Sequence, residues 1–325
     1  MRRREYLSHS AVKMFYDDTE QFFIRYLSEE RCDNEPQTQP MSIGSAFDAY
    51  AKSYLHGHLF GKNHKHSAEF EFDTLFPKQV ESQHRDWALE HGRYVWACYR
   101  DSGALADLLL DLSSAIGEPR FEIELVSRIS TVGGDEQIPL LGKPDIFFIN
   151  NAGCPVIIDW KVNGYCSKSP PSPKPGFLKI RSTDQSKCSG EHKNAKPGMF
   201  QGMLINTAAN LEQVDQDWGN QLSMYGWLCG ADVGDEFLVG IDQLVCKKDA
   251  TPYPTIRVAE HRTKAGRQNQ LDLFDRIAHC WDVISSDHIF RDLTPEESAN
   301  RCLALEAKAK SFRESDPEFL SLMRR

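Results

Sequence analysis

The run Pro155-Val156-Ile157-Ile158-Asp159-Trp160-Lys161-Val162 constrains the fold more than any other stretch of the chain. Its β-branched and aromatic residues favour a buried strand, yet it carries an acid and a lysine two positions apart. Residues i and i+2 of a strand share a face, so Asp159 and Lys161 point the same way. Burying unpaired charge is costly, and both groups therefore need partners. Asp/Glu-x-Lys also occurs at Glu191-His192-Lys193, in a Pro-rich stretch, and at Glu306-Ala307-Lys308, in a charged helical one. A solvated surface explains both of those.

Leu141-Gly142-Lys143-Pro144-Asp145-Ile146-Phe147-Phe148 repeats the anomaly, with an acid planted in an apolar run. Asn150-Asn151-Ala152-Gly153 has the chemistry of a tight turn, and a hairpin closed there brings Asp145 towards Asp159. Two carboxylates held together repel and call for a cation, and an oxygen-only donor set suits magnesium or manganese. The plainer alternative is a same-face ion pair between Asp159 and Lys161, with Asp145 capping a turn.

Around this pair the spacing predicts a helix over residues 42–55, with Ser42 as N-cap and a stop near Gly57, and further helical character over about 80–115. Phe121–Val126, Ile138–Asn150 and Pro155–Val162 read as strands of an antiparallel meander. Asp217–Leu228 returns to helical spacing, Glu236–Val245 and Thr255–Glu260 read as strands, and 266–286 and 295–314 as helices. The expectation is an α/β fold with a mixed central sheet flanked by helices. Its parts are a helical N-terminal region (1–115), a catalytic core (116–265) and C-terminal helices (266–325).

The formal charge of −9 argues against phosphate binding by the molecule as a whole. From Lys161 to Pro197, however, 8 basic residues face 2 acidic ones, while the remainder carries 30 basic and 45 acidic residues. That Pro-rich segment is too long for a simple connection. Its Lys168, Lys174, Lys179, Arg181 and Lys187 are the candidate contacts to a DNA backbone. Nine scattered cysteines with no Cys-x-x-Cys point to reduced thiols in a cytoplasm, and no run of 18 apolar residues suggests a membrane span. His56-Gly57-His58 and His64-Lys65-His66 offer imidazoles for zinc, but the Gly, Lys and Asn around them fit a solvated loop. Walker, dinucleotide-binding and Gly-x-Ser-x-Gly motifs are lacking, against nucleotide-driven motors and serine hydrolases.

In order along the chain, Gly142-Lys143-Pro144-Asp145, Ile157-Ile158-Asp159-Trp160-Lys161 and Gln221-Leu222-Ser223-Met224-Tyr225 resemble the motif succession of the RecB-like and phage-exonuclease branch of the PD-(D/E)XK nucleases. The resemblance covers about residues 40–230. It implies a restriction-endonuclease-like core and a Mg2+-dependent deoxyribonuclease, with Mn2+ able to substitute. An exonuclease or end-processing enzyme of phage or recombination type is the first expectation. A restriction-type endonuclease and a catalytically silent DNA-binding protein are the alternatives. Asp145 and Asp159 are then metal ligands, Lys161 the catalytic lysine, and Gln221 and Tyr225, on one helix face, border the site. Gly44-Ser45-Ala46-Phe47-Asp48 is similar to the branch's Gly-x-x-x-His motif, with Asp48 where many members have a metal-binding histidine. Glu124 is a further candidate ligand. DNA is the implied partner, with a second copy of the chain and a recombination protein as candidates besides.

Overall fold

The computed structural model describes residues 4–28, 36–130, 134, 137–167, 169, 172–174, 176–184, 189–191, 196–206, 209–248 and 252–286, with isolated positions 296, 299, 300, 303, 306 and 307. The helix expected over 295–314 thus lies largely outside the described residues. Among those described, no helix is long and apolar enough to cross a membrane, and six cysteines are free thiols.

β1 (Leu7–Ser8) runs into α1 (His9–Asp17), where the Ser8 hydroxyl accepts from the Ala11 N–H at 3.3 Å. α2 (Thr19–Phe22) follows, closed by a π-helical turn at Phe23–Leu27. α3 (Gln39–Phe60) begins three residues before the expected start. Pro40 fits its first turn and Thr38 caps it, while Ser42 turns its hydroxyl back to the Gln39 carbonyl at 2.8 Å. The helix runs through Gly57 because Leu59 and Phe60 still have core to cover, and it ends at Gly61. α4 (Phe72–Gln79), α5 (Arg85–Ser102) and α6 (Ala104–Ser113) complete the N-terminal helices. The stretch expected to be helical over 80–115 is divided at Gly103, whose φ of 89° is the left-handed conformation that ends a helix.

Next come β2 (Arg120–Phe121), β3 (Leu125–Ile129), β4 (Ile138–Gly142), β5 (Ile146–Ile149) and β6 (Pro155–Asn163). Within the basic segment lie β7 (Lys179–Ser182), β8 (Ser189–Glu191), β9 (Gly198–Phe200) and β10 (Met203–Ile205). α7 (Leu211–Val214), α8 (Gln216–Leu228), β11 (Leu238–Lys247), β12 (Thr255–Lys264) and α9 (Arg267–Ser285) finish the fold.

The main sheet has seven strands in the order β2-β5-β6-β11-β12-β7-β8, antiparallel throughout except for the parallel pair β6–β11. A smaller sheet, β1-β4-β3, stands beside it, and β9 pairs with β10. The fold is mixed α/β with helices on both faces. One core lies under α1, α2, α8 and α9 and takes Ile157, Val239, Ile241 and Ala259 from the sheet. The other lies under α3, α5 and α6 and takes Val156, Ile158, Trp160, Leu244 and Val258. β6 thus alternates between two cores, and its odd-numbered side chains, Asp159 and Lys161 among them, face α8.

The expected meander differs in one respect. Both of its first two strands break and change sheet, the first from the large sheet to the small one and the second from the small sheet to the large one. The chain changes sheet between β2 and β3 at Glu122–Glu124, and between β4 and β5 at Lys143–Asp145. Pro144 has no N–H to continue a ladder. Glu122 takes a φ of 48°, rare for a residue with a side chain, and its N–H is bound to the Asp145 carbonyl at 3.1 Å. The two crossing points are therefore tied to each other.

Candidate active site

The expected hairpin is present. Asn150 Oδ1 accepts from the N–H groups of Ala152 and Cys154, both at 3.0 Å, and closes the turn that pairs β5 with β6. Asp145 lies just before β5, and its Oδ2 accepts the Trp160 N–H at 3.0 Å. The carboxyls of Asp145 and Asp159 are close neighbours, so that the charge on Asp145 favours a protonated Asp159 able to donate to it.

Gly142 makes room for this arrangement, since a Cβ there would meet Leu228 at 2.6 Å and the Tyr225 ring at 2.7 Å. α8 is started by Asp215, whose carboxylate accepts from Asp217 and Trp218 N–H, and its i, i+4 face carries Gln221 and Tyr225 to the strand. Lys161 Nζ donates to Gln221 Oε1 at 2.8 Å, and Gln221 Nε2 donates to Tyr225 Oη at 2.8 Å. Lys161 also pairs with Asp159. All five residues that the motif succession singles out on β5, β6 and α8 thus form one connected chain.

A second group meets Asp145 from the other side. Lys52, only 2% exposed, lies 2.6 Å from Asp48 Oδ2, 3.2 Å from Glu122 Oε2 and 3.6 Å from Asp145 Oδ1. Gln79 Nε2 donates to Asp48 at 2.8 Å and to Glu122 at 3.0 Å. Asp48 therefore stands near the site as expected, but facing a buried ammonium. Glu124 does not join it: its carboxylate pairs with Lys143 at 2.7 Å on the exposed surface, and Glu122 takes the inward position. Strict alternation from Phe121 to Val126 would put Glu122 and Glu124 on one face, and the sheet change at Glu122, where φ is 48°, is what separates them. Lys52 was legible only as the i+4 neighbour of Asp48. An open cleft of about 340 Å3 exposes Asp48, Lys52, Glu122, Lys143 and Asp145.

Burial and the nearby Asp145 charge push Asp159 up to about 8, against the pull of Lys161. Burial, with the charges of Asp145 and Glu122, pushes Asp48 up to about 7, although Lys52 opposes the rise. Burial would raise Asp145 too, but Lys52 and the hydrogen bonds from Asp159 and Trp160 outweigh it and hold its carboxyl below the ordinary value. Burial would lower the two lysines, and their carboxylate neighbours raise both instead. Tyr225 is pushed up to about 12 by burial and by Asp159.

Asp145 and Asp159 offer hard oxygen donors, and without a cation they must share a proton. That fits Mg2+, which is commonly held by one or two carboxylates with water completing its shell. Among the described residues no three His, Cys, Asp or Glu side chains form an enclosing cage, and Lys52 occupies the space between Asp48, Glu122 and Asp145.

The basic segment is less open than its composition suggests. Lys179 and Arg181 both bind Asp107, at 2.8 and 2.7 Å, and Arg181 also reaches Glu260 at 3.3 Å. β7 stands three strands from β6, roughly 14 Å at ordinary strand spacing. Lys174 pairs more loosely with Asp215 at 3.3 Å and remains 40% exposed. Lys168 and Lys187 lie outside the described residues. Sequence reasoning also missed a buried set behind β6. Asp242 accepts from Tyr99 at 2.6 Å and from Arg262 at 2.7 Å, while the Trp160 indole donates to Tyr99 at 3.4 Å. Trp160 is thereby fixed by its backbone on one side and its ring on the other.

No protein-family model matches this chain, and no curated protein matches it. Among solved structures, the crystal structure of SSO0001 aligns with 89% of this chain and 95% of that one, at 10% identity and a TM-score of 0.27. A likeness that weak carries no argument about fold or function.

Proposed function

We propose that the protein is a Mg2+-dependent deoxyribonuclease with a restriction-endonuclease-like core, acting on DNA ends. The observation that carries this reading is the half-buried chain Asp145–Asp159–Lys161–Gln221–Tyr225, assembled from a hairpin and a helix that is distant from it in sequence. A structural ion pair needs only Asp159 and Lys161. It does not account for a second acid as close neighbour, or for a glutamine and tyrosine that orient the lysine.

Asp145 and Asp159 would hold the cation, which when bound supplies Lewis-acid polarisation of the scissile phosphate. Lys161 places its ammonium beside the carboxylates, where charge builds on the phosphate as it is attacked. Gln221 and Tyr225 act as positioning residues, the first accepting from Lys161 and the second accepting from the first. Trp160 N–H binds Oδ2 of Asp145, leaving Oδ1 on the side of Lys52, 3.6 Å away. Lys168, Lys174 and Lys187 are the proposed backbone contacts, since the charges of Lys179 and Arg181 are already matched within the protein.

The test is incubation with Mg2+ of end-labelled linear duplex beside nick-free closed circles. Release of terminal nucleotides with the circles left intact is the expected outcome. Cutting of circles at a comparable rate would replace the end-dependent reading with an endonuclease, and no cleavage of any DNA would overturn the reading altogether.

A further inference from the structure

A cavity of about 630 Å3 opens beside the cleft, between the C-terminal half of α3 and the β2–β3 crossing. Its walls include His56, Phe60, His64, Phe70 and Glu118, and Glu122 lines both this cavity and the cleft of Asp145. The two spaces therefore adjoin across one residue. The volume lies in the range of sites that enclose a small organic group.

The walls are aromatic and paired. His56 stacks on Phe70 with centroids 4.5 Å apart and planes 5° from parallel, and Phe60 stacks on His64 at 4.9 Å and 26°. His56 was expected in a solvated loop, yet it belongs to α3 and is 3% exposed. Its Nε2 is buried without a hydrogen-bond partner, a cost that folded proteins seldom leave unmet. Burial, with His64 and His66 nearby, holds this imidazole below its ordinary value, so it is neutral at pH 7.

The other imidazoles are engaged. His64 accepts from the His66 N–H at 3.4 Å and faces Glu118 at 3.5 Å, and His66 faces Glu69 at 3.2 Å. These carboxylates repel a phosphate, and the ring nitrogens do not converge on a point where an ion would sit. What suits the space is a flat uncharged ring with a polar edge, set against the aromatic wall that Phe60 and Phe70 help to form, with the unsatisfied His56 Nε2 just beneath that wall as the polar atom it would reach by a small shift of the ring.

We propose that this cavity takes the unpaired terminal base of a DNA strand whose adjoining backbone lies on Asp145 and Asp159. The inference rests on the DNA-hydrolysis reading, since that reading places the backbone in the adjoining cleft. It adds the means by which an end is told from the interior of a strand. An internal base is held by neighbours on both sides, whereas a frayed terminal base is free to leave its stack and enter.

The test uses oligonucleotides carrying 2-aminopurine at the 5′ end, at the 3′ end or internally, bound to the full chain with Ca2+ in place of Mg2+. Quenching confined to one terminal position is expected. Phe60→Leu and Phe70→Leu keep apolar bulk while removing the ring, and each should weaken binding of that end by about tenfold, the effect of one lost base–aromatic stack. A wild-type comparison that needs no variant uses strands ending in an abasic site, which should bind with a similar loss. Equal quenching at terminal and internal positions, or undiminished binding of the abasic end, would overturn the proposal. So would stoichiometric binding of Zn2+ alone that is lost in His56→Gln, which would make the cavity a metal site. End-specific quenching without hydrolysis in Mg2+ would uphold the pocket while removing the nuclease reading.

Discussion

Asp145 is bound through Oδ2, at 3.0 Å, to the backbone N–H of Trp160, the residue that separates Asp159 from Lys161. The first acid is thus docked on the backbone of the second motif and does not depend on the Trp160 side chain for its place. The same bond helps to hold Asp145 ionised while Asp159 carries the shared proton.

Asp159→Ala and Lys161→Ala should each lower DNA hydrolysis by at least about 10²–10³-fold, the usual effect of removing one group that stabilises developing charge. Each removes one partner of a largely buried pair, so a lowered melting temperature is expected, and circular dichroism at a temperature where both variants remain folded should match wild type. Calorimetric titration should show weaker Mg2+ binding for Asp159→Ala alone. Cleavage at the wild-type rate by either variant would exclude the assignment.

Lys52→Met should destabilise the metal-free protein by about 3–5 kcal/mol, because three carboxylates lose the buried ammonium between them. Millimolar Mg2+ should restore much of the lost melting temperature, and more than it adds to wild type. Glu122→Gln should shift stability and Mg2+ affinity, whereas Glu124→Gln, which breaks only an exposed pair with Lys143, should stay within about 0.5 kcal/mol. A silent Glu122→Gln beside a damaging Glu124→Gln would reverse the inward and outward assignment.

Asp159, at about 8 in the folded metal-free protein, keeps a proton that the unfolded chain gives up near its ordinary value of about 4. Between those limits the folded state binds more protons, so this group's contribution to stability falls as pH rises and is fully lost above about 8. Mg2+ must displace that proton. Its affinity should rise by up to about tenfold per pH unit until about pH 8 and then level off, with a second inflection near 7 from Asp48. Calorimetry in buffers of different ionisation enthalpy reads the proton release directly, and an affinity independent of pH below 8 would contradict the shared proton.

Neutralising Lys168, Lys174 and Lys187 should flatten the salt dependence of duplex binding by about 0.9 in logarithmic slope for each lysine that touches a phosphate. Lys179→Gln with Arg181→Gln should instead lower the melting temperature, because Asp107 loses both lysine and arginine and the buried Glu260 loses one of its two cations, and should leave the slope alone. Binding measured across a salt series, beside melting curves, separates the two sets.

The strands and helices that carry Asp145, Asp159, Lys161, Gln221 and Tyr225 were legible because local rules suffice there. A β-branched run, the Asn150-Asn151-Ala152-Gly153 turn and an i, i+4 pair each declare themselves within a few residues. What the sequence concealed depends on packing between distant segments. Nothing near Lys52 states that Glu122 will cross to it, and nothing near Phe121 states that the strand will leave its sheet one residue later. Arg181 reads as a free cation until Asp107, 74 positions earlier, is folded against it. His56 reads as a loop residue until α3 is seen to run past Gly57.

The parallel pairing of β6 with β11 sets an order of events in synthesis. About 75 residues separate Asn163 from Leu238, so at 5–20 residues per second β11 leaves the ribosome roughly 4–15 s after β6. Until then the hairpin of β5 and β6 has an open edge, the kind of surface on which nascent chains join one another. Asp159 and Lys161 lie in the middle of that edge strand, and charges so placed discourage a second strand from pairing. The acid and the lysine thus guard the newborn hairpin before they have any other partner to serve.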